Sequence, residues 1–142
     1  MENSQIGIQM LGNFLQDNYY WKELISMFVV VGLKFEIHCW NEETEEIKEA
    51  LKFGKEKSTD WEFGTIIEGI IDEKFIEMIH NTVKPSDTAI YNKMTPFFSI
   101  FLENGFSSEH YGTEFHILSA PIDTNFTALL KELREFAVVN VF

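Results

Sequence analysis

Cysteine, proline, basic charge and long apolar stretches are all scarce in this chain, and each scarcity excludes something. The one cysteine, Cys39, has no intramolecular partner. Small domains of oxidising compartments usually carry paired cysteines, so a reducing compartment is expected. The longest apolar stretch, Met27 to Leu33, falls well short of the ~20 residues that cross a bilayer. The opening MENSQIGIQM has neither the basic region nor the apolar segment of a secretory signal. These readings predict a cytoplasmic protein without a membrane partner.

Recognisable catalytic patterns are lacking too. There is no GxGxxG or GxxxxGK[ST] to cradle phosphate, no His-Glu-x-x-His, no Cys-x-x-Cys and no Gly-x-Ser-x-Gly elbow. The sequence therefore assigns no catalytic residue, cofactor or metal, and the expectation is a protein that is not an enzyme. His38 and Cys39 are adjacent on a strand-like segment, so their side chains point to opposite faces and cannot form a nucleophile pair. His110 and His116, with Glu109 and Glu114 nearby, are the residues an unrecognised enzyme or a metal site would use.

What is present is apolar mass and acid. Fourteen Phe, three Trp and four Tyr among 142 residues, with 45% hydrophobic content, supply a conventional core. The length suits one domain spanning 1–142. Against 11 Lys and Arg stand 23 Asp and Glu, a net charge of −12. Such a surface repels nucleic-acid phosphates and anionic lipid, so direct nucleic-acid binding is not expected and a basic protein partner is.

Periodicity predicts the elements. Residues 5–31 read as helix in one or two pieces, with Met10, Leu11, Phe14 and Leu15 on one face and Trp21, Leu24, Ile25 and Phe28 on another. Asp17-Asn18 either breaks it or caps a second helix, and the largely β-branched run 28–31 is open to an extended reading. Leu33 to Trp40 alternate as a strand. A helix follows over 41–53 with Asn41 as its cap, then a lysine-rich connection over 54–60. Trp61 to Ile71 read as a strand with Trp61, Phe63, Thr65 and Ile67 on one face, and Asp72 caps a helix bearing Phe75, Ile76 and Ile79. The segment 81–96 has turn chemistry. Strands over 97–103 and 114–119, with turns at Asn104-Gly105 and Tyr111-Gly112, predict a hairpin or small meander. Asp123 caps a last helix through Phe126, Leu129, Leu130, Leu133 and Ala137. The expectation is α+β: a mixed or antiparallel sheet of about four or five strands covered by helices, with helical terminal segments.

The candidate site is acidic. Glu42, Glu43, Glu45, Glu46 and Glu49 crowd eight residues, and the spacing of Glu42, Glu45, Glu46 and Glu49 makes one ridge on a continuous helix. Acids in a first helical turn favour its positive dipole end, which accounts for some of them without function. The wider excess goes beyond that. From Glu36 to Glu77 there are 13 acids and 5 lysines; Glu62 and Glu68 alternate outward on the strand that begins at Trp61, and Asp60 precedes it. Trp40 falls on the polar face of its strand beside the ridge, where it is either an exposed interface anchor or a ring covered by a helix. The predicted partner-binding set is Trp40, Glu42, Glu43, Glu45, Glu46, Glu49, Asp60 and Glu62.

In length, in its Glu/Lys/Ile/Phe/Asn-rich composition, in the ridge NEETEEIKE and in the order ending FFSIFLENGFSSEHYGTEFHIL plus a helix, the chain resembles the small acidic immunity proteins. Those proteins protect bacteria from toxin domains of contact-dependent growth inhibition and related polymorphic systems. The resemblance implies an antitoxin that binds and neutralises a cognate basic toxin domain, such as a nuclease. Three other readings stand beside it: a phage-type acidic inhibitor of a nucleic-acid-binding enzyme, a small enzyme using His110 and His116, and a plain regulatory or adaptor domain in which charge has no special role.

Overall fold

The structure, a computed structural model, describes residues 5–11, 17–86, 92–121 and 123–142. Among these, four helices and eight strands run in the order β1 (Ile6–Met10), α1 (Tyr19–Ser26), β2 (Lys34–Trp40), α2 (Thr44–Ala50), β3 (Lys55–Lys57), β4 (Gly64–Ile70), α3 (Glu73–Asn81), β5 (Ser99–Leu102), β6 (Phe106–Glu109), β7 (Glu114–Ile117), α4 (Thr124–Leu133) and β8 (Ala137–Val141). The strands form one antiparallel sheet, ordered β3-β4-β2-β5-β6-β7-β1-β8. The class is α+β.

Strand alternation decides which face is buried. Phe35, Ile37 and Cys39 of β2 point one way, in register with Gly69, Ile67 and Thr65 of β4 and, for the first two, Leu102 and Ile100 of β5. Across the sheet Phe106, Phe115, Ile117, Ile6 and Ile8 continue that apolar surface. The helices close over it with Trp21, Leu24 and Ile25 from α1, Ala50 from α2, Phe75 and Ile79 from α3, and Phe126, Leu129 and Leu133 from α4. All of these belong to a single core, and every strand residue in that core comes from the same face. The opposite face, carrying Glu36, His38, Trp40, Ile66, Glu68, Phe101 and His116, has no helix over it among the described residues.

Several local readings hold. The Asp72 side chain accepts from Phe75 N–H at 2.9 Å and Asp123 accepts from Asn125 N–H at 2.7 Å, so both caps form as the sequence predicts. The Asn104-Gly105 turn closes the β5–β6 hairpin, with Gly105 at φ 88, a conformation that costs residues with a Cβ. The β5-β6-β7 meander follows.

Other readings need correction. The chain opens in the sheet rather than in a helix: Ile6 and Ile8 are buried between β7 and β8, and the helix spans only Tyr19–Ser26. Phe14 and Leu15 lie outside the described residues. Asn18 stands at the N-cap position of α1 but does not cap; its side-chain amide donates to Thr82 O and Met94 O, both at 3.0 Å, tying the helix entry to distant loops. The helix after β2 is shorter than 41–53, beginning at Thr44. Asn41 is held by β4 instead, because its amide donates to Glu62 O and its carbonyl accepts from Thr65 Oγ1. The lysine-rich connection contains β3, a charged edge strand. The last helix stops at Leu133, and Ala137, expected on its apolar stripe, instead opens β8 opposite Met10 of β1, so the last described element is a strand and not a helix. With β1, β3, β6 and β8 added, the sheet exceeds the four or five strands expected.

Candidate partner-binding site

At the end of β2, Trp40 projects from the helix-free face and is half-buried. Its partner in register is Gly64, and that absence of a side chain makes the site possible. A Cβ on Gly64 would lie 2.0 Å from the Trp61 ring. The bare backbone thus lets the Trp61 indole lie flat on the sheet beside Trp40. Ring centroids are 5.1 Å apart for Trp40–Trp61 and 5.0 Å for Trp40–Phe98. The cluster extends to His38 and Phe101 along the sheet, and to Tyr111 and His110 at the β6–β7 turn. Such aromatic pairs add ~1 kcal/mol each beyond their burial.

The acids reach this cluster in two turns. Asn41 N–H donates to Phe63 O, and the Asn41 side chain bonds Glu62 O and Thr65, so the turn after β2 and the turn before β4 are fastened together. Glu42 on the first turn, and Asp60 and Glu62 on the second, are exposed. None of the three makes an ion pair among the described residues. Glu43 has a different task. One oxygen accepts from Trp40 N–H and the other from the Tyr111 hydroxyl, each at 2.8 Å, which commits its carboxylate to holding the site together. Tyr111 and the preceding His110 adopt positive φ, 59 and 50. That backbone strain of order 1–3 kcal/mol is offset by the hydroxyl bond and the packing on Phe98.

The predicted glutamate ridge is divided by this geometry. Glu42 precedes α2 and cannot continue its face. Glu45, Glu46 and Glu49 do lie on α2, which covers the other side of the sheet and lines a shallow pocket with Lys48, Lys52 and Pro96. Glu49 is paired with Lys52 at 2.6 Å. Trp40, Glu42, Glu43, Asp60 and Glu62 are therefore brought together, whereas Glu45, Glu46 and Glu49 form a separate and partly neutralised flank.

Farther along the open face, Glu36 accepts from Lys57 at 2.6 Å and pairs with His38 at 3.0 Å. The Lys57 hydrogen bond, with help from His38 and against the effect of burial, holds Glu36 below the usual carboxylate range; the same bond raises Lys57. Beside this network lies a cavity of about 700 Å³, lined in part by Lys34, Lys55, Lys57, Glu68 and Phe101.

Burial on the helix side pushes the Cys39 thiol up to about 12, with the Glu43 and Glu46 charges adding to it. A thiol is reactive as its thiolate. Native protein at pH 8 is expected to resist alkylation at Cys39 that the urea-unfolded chain undergoes readily; rapid labelling of the native form would contradict this. His110 pairs with Glu114 at 2.6 Å and His116 lies 3.6 Å from Glu109, as two separate pairs. Among the described residues no group of three or more His, Cys, Asp or Glu is arranged to hold a metal ion, and no helix is long and apolar enough to cross a membrane.

Sequence reasoning missed Trp61, Phe98, His38 and Tyr111. The alternation places Trp61 with Thr65 and Ile67, but β4 starts at Gly64, and the turn before it carries the ring to the opposite face. The Asp60-Trp61-Glu62 tripeptide was the available signal. No protein-family model, curated protein or solved structure matches the chain.

Proposed function

We propose that this chain is an immunity-type inhibitor that binds and neutralises a cognate basic toxin domain of the nuclease class. The reading is carried by the half-buried Trp40–Trp61–Phe98 cluster on a helix-free sheet face, bordered by Glu42, Asp60 and Glu62, none of which makes an ion pair among the described residues. Aromatic anchors inside a polar rim are the composition of binding hot spots. Carboxylates over an aromatic floor suit Arg and Lys: the rim takes the charge through charge-assisted hydrogen bonds and the rings take the cation's face. The chain already does this once, with Lys93 Nζ 4.2 Å from the Tyr111 ring centroid. A nuclease cleft is rich in such cations because it must bind phosphate, and an acidic inhibitor meets them at high rate.

The decisive experiment is co-expression with a toxin domain encoded beside this chain's gene, followed by affinity measurement. Wild type rescues growth. The triple variant Glu42→Lys, Asp60→Lys, Glu62→Lys remains folded, loses rescue and binds about 100-fold more weakly, chiefly through slower association. Reversing Glu45, Glu46 and Glu49 has the smaller effect. Wild-type affinity falls as salt rises, since exposed charges are screened beyond about 8 Å at physiological ionic strength. Full protection by the folded Glu42/Asp60/Glu62 variant refutes the site, and failure of wild type to bind any basic toxin domain refutes the function.

A further inference from the structure

The two edges of the sheet are built differently. The β3 edge is short and reads Lys-Glu-Lys, the charged design that keeps edge strands from pairing with other chains. The β8 edge reads Ala-Val-Val-Asn-Val, with no charge, proline or glycine. Val138 is 43% and Val141 57% exposed.

Hydrogen-bond alternation tells which groups of β8 face outward. Leu11 N–H donates to Phe136 O and Phe142 N–H donates to Gln5 O, so the even-numbered residues of β8 bond to β1. Met10 N–H donates to Thr113 O, which confirms the alternation from the other side of β1. The N–H and C=O groups of Ala137, Val139 and Val141 therefore point away from the sheet. No strand pairs with that edge among the described residues.

This outward set is symmetric about Val139. A second copy placed antiparallel, with a two-fold axis at Val139, puts Ala137 opposite Val141, Val139 opposite Val139 and Val141 opposite Ala137. Every outward donor then meets an outward acceptor; the Ala137–Val141 and Val139–Val139 pairs are apolar, and on the other face of the sheet Val138 stands opposite Asn140. Isologous contacts need this kind of self-complementarity.

Charge favours the same arrangement. The acid-rich span from Glu36 to Glu77 occupies β2, α2, β3, β4 and α3, toward the other end of the strand order. At about 4.8 Å per strand, β3 and β8 are roughly 34 Å apart within one copy, so pairing through β8 keeps the acidic ends far beyond the screening length. We infer that the chain forms a two-fold homodimer by antiparallel β8–β8 pairing centred on Val139, making one continuous sheet with an acidic, Trp40-bearing site toward each end.

Sedimentation velocity tests this on the full chain. Wild type at tens of micromolar sediments at about twice the 16.6 kDa protomer mass. Val139→Pro removes an outward N–H, at a position where an edge strand tolerates proline, and trims a half-buried side chain that packs against the core; it shifts the dissociation constant upward by about 10–100-fold. Val141→Lys, at an exposed position, puts a charge into the seam and does the same, which decides the matter should the proline variant misfold. Wild type that stays monomeric up to about 100 µM overturns the inference. So does a dimer that survives unchanged in folded Val139→Pro or Val141→Lys protein.

Discussion

Trp21→Ala is expected to cost about 4 kcal/mol, a large fraction of the 5–15 kcal/mol that holds a domain of this size together. Trp21 has no exposed surface and is the largest side chain in the core, and its indole N–H donates to Ser108 Oγ at 2.9 Å. Truncation empties the space between α1 and the β6 region and orphans a buried hydroxyl, so the transfer, cavity and hydrogen-bond losses fall together. In urea, where a domain loses ~2 kcal/mol per molar denaturant, the midpoint falls by about 2 M. Ser108→Ala separates the polar part: it leaves the indole N–H without its partner and costs about 1–2 kcal/mol. A Trp21→Ala loss below 1 kcal/mol would show that α1 does not organise the core as described.

The parts of this fold that can be read from sequence are those where a local signal and the tertiary environment ask for the same thing. Asp72 and Asp123 stand one turn ahead of apolar stripes, and both cap. Lys34–Trp40 alternates cleanly because one face of β2 meets the helices and the other does not. Residues 5–31 fail for the opposite reason. Ile6-Gly7-Ile8-Gln9-Met10 does alternate, but over a short span, and its status as strand depends on β7 and β8, more than a hundred residues away. Leu11, Phe14 and Leu15 extend a helical spacing across that boundary and mask it. β3 is hidden similarly: Lys-Glu-Lys has no apolar pattern, and only pairing with Glu68, Ile67 and Ile66 makes it a strand.

The site was legible as composition but not as geometry. The acidic excess in the middle of the chain, and Trp40 on the polar face of its strand, are visible in one dimension. Which glutamates lie together is not, because it depends on where α2 begins. Beginning at Thr44 rather than Asn41 leaves Glu42 on a turn with Asp60 and Glu62 and draws Glu43 inward to Trp40 and Tyr111. Those contacts join residues far apart in sequence, and no periodicity reports them. The aromatic floor escapes for the same reason: Trp61 and Phe98 lie just outside their strands, where alternation has no authority over direction.

Gly64→Ala, one added methyl group, is expected to dismantle this floor while the fold survives. The new Cβ would fall 2.0–2.2 Å from three atoms of the Trp61 indole, a separation no packing tolerates. Since Gly64 is held in β4 opposite Trp40, the half-buried Trp61 must leave. Overpacking of this kind costs about 1–3 kcal/mol. The loss of the Trp40–Trp61 contact should appear as a red shift in tryptophan emission with little change in far-ultraviolet circular dichroism. Partner affinity should fall about tenfold or more, as it does when a central aromatic anchor is removed. A double-mutant cycle identifies the cause. In a Trp61→Ala background the ring that clashes is gone, so adding Gly64→Ala should cost little further in stability or affinity, and the two changes should be strongly non-additive. Additive costs would mean that Gly64 is needed for its backbone and not for the indole lying on it, and the aromatic floor would then lose its claim to organise the acids around it.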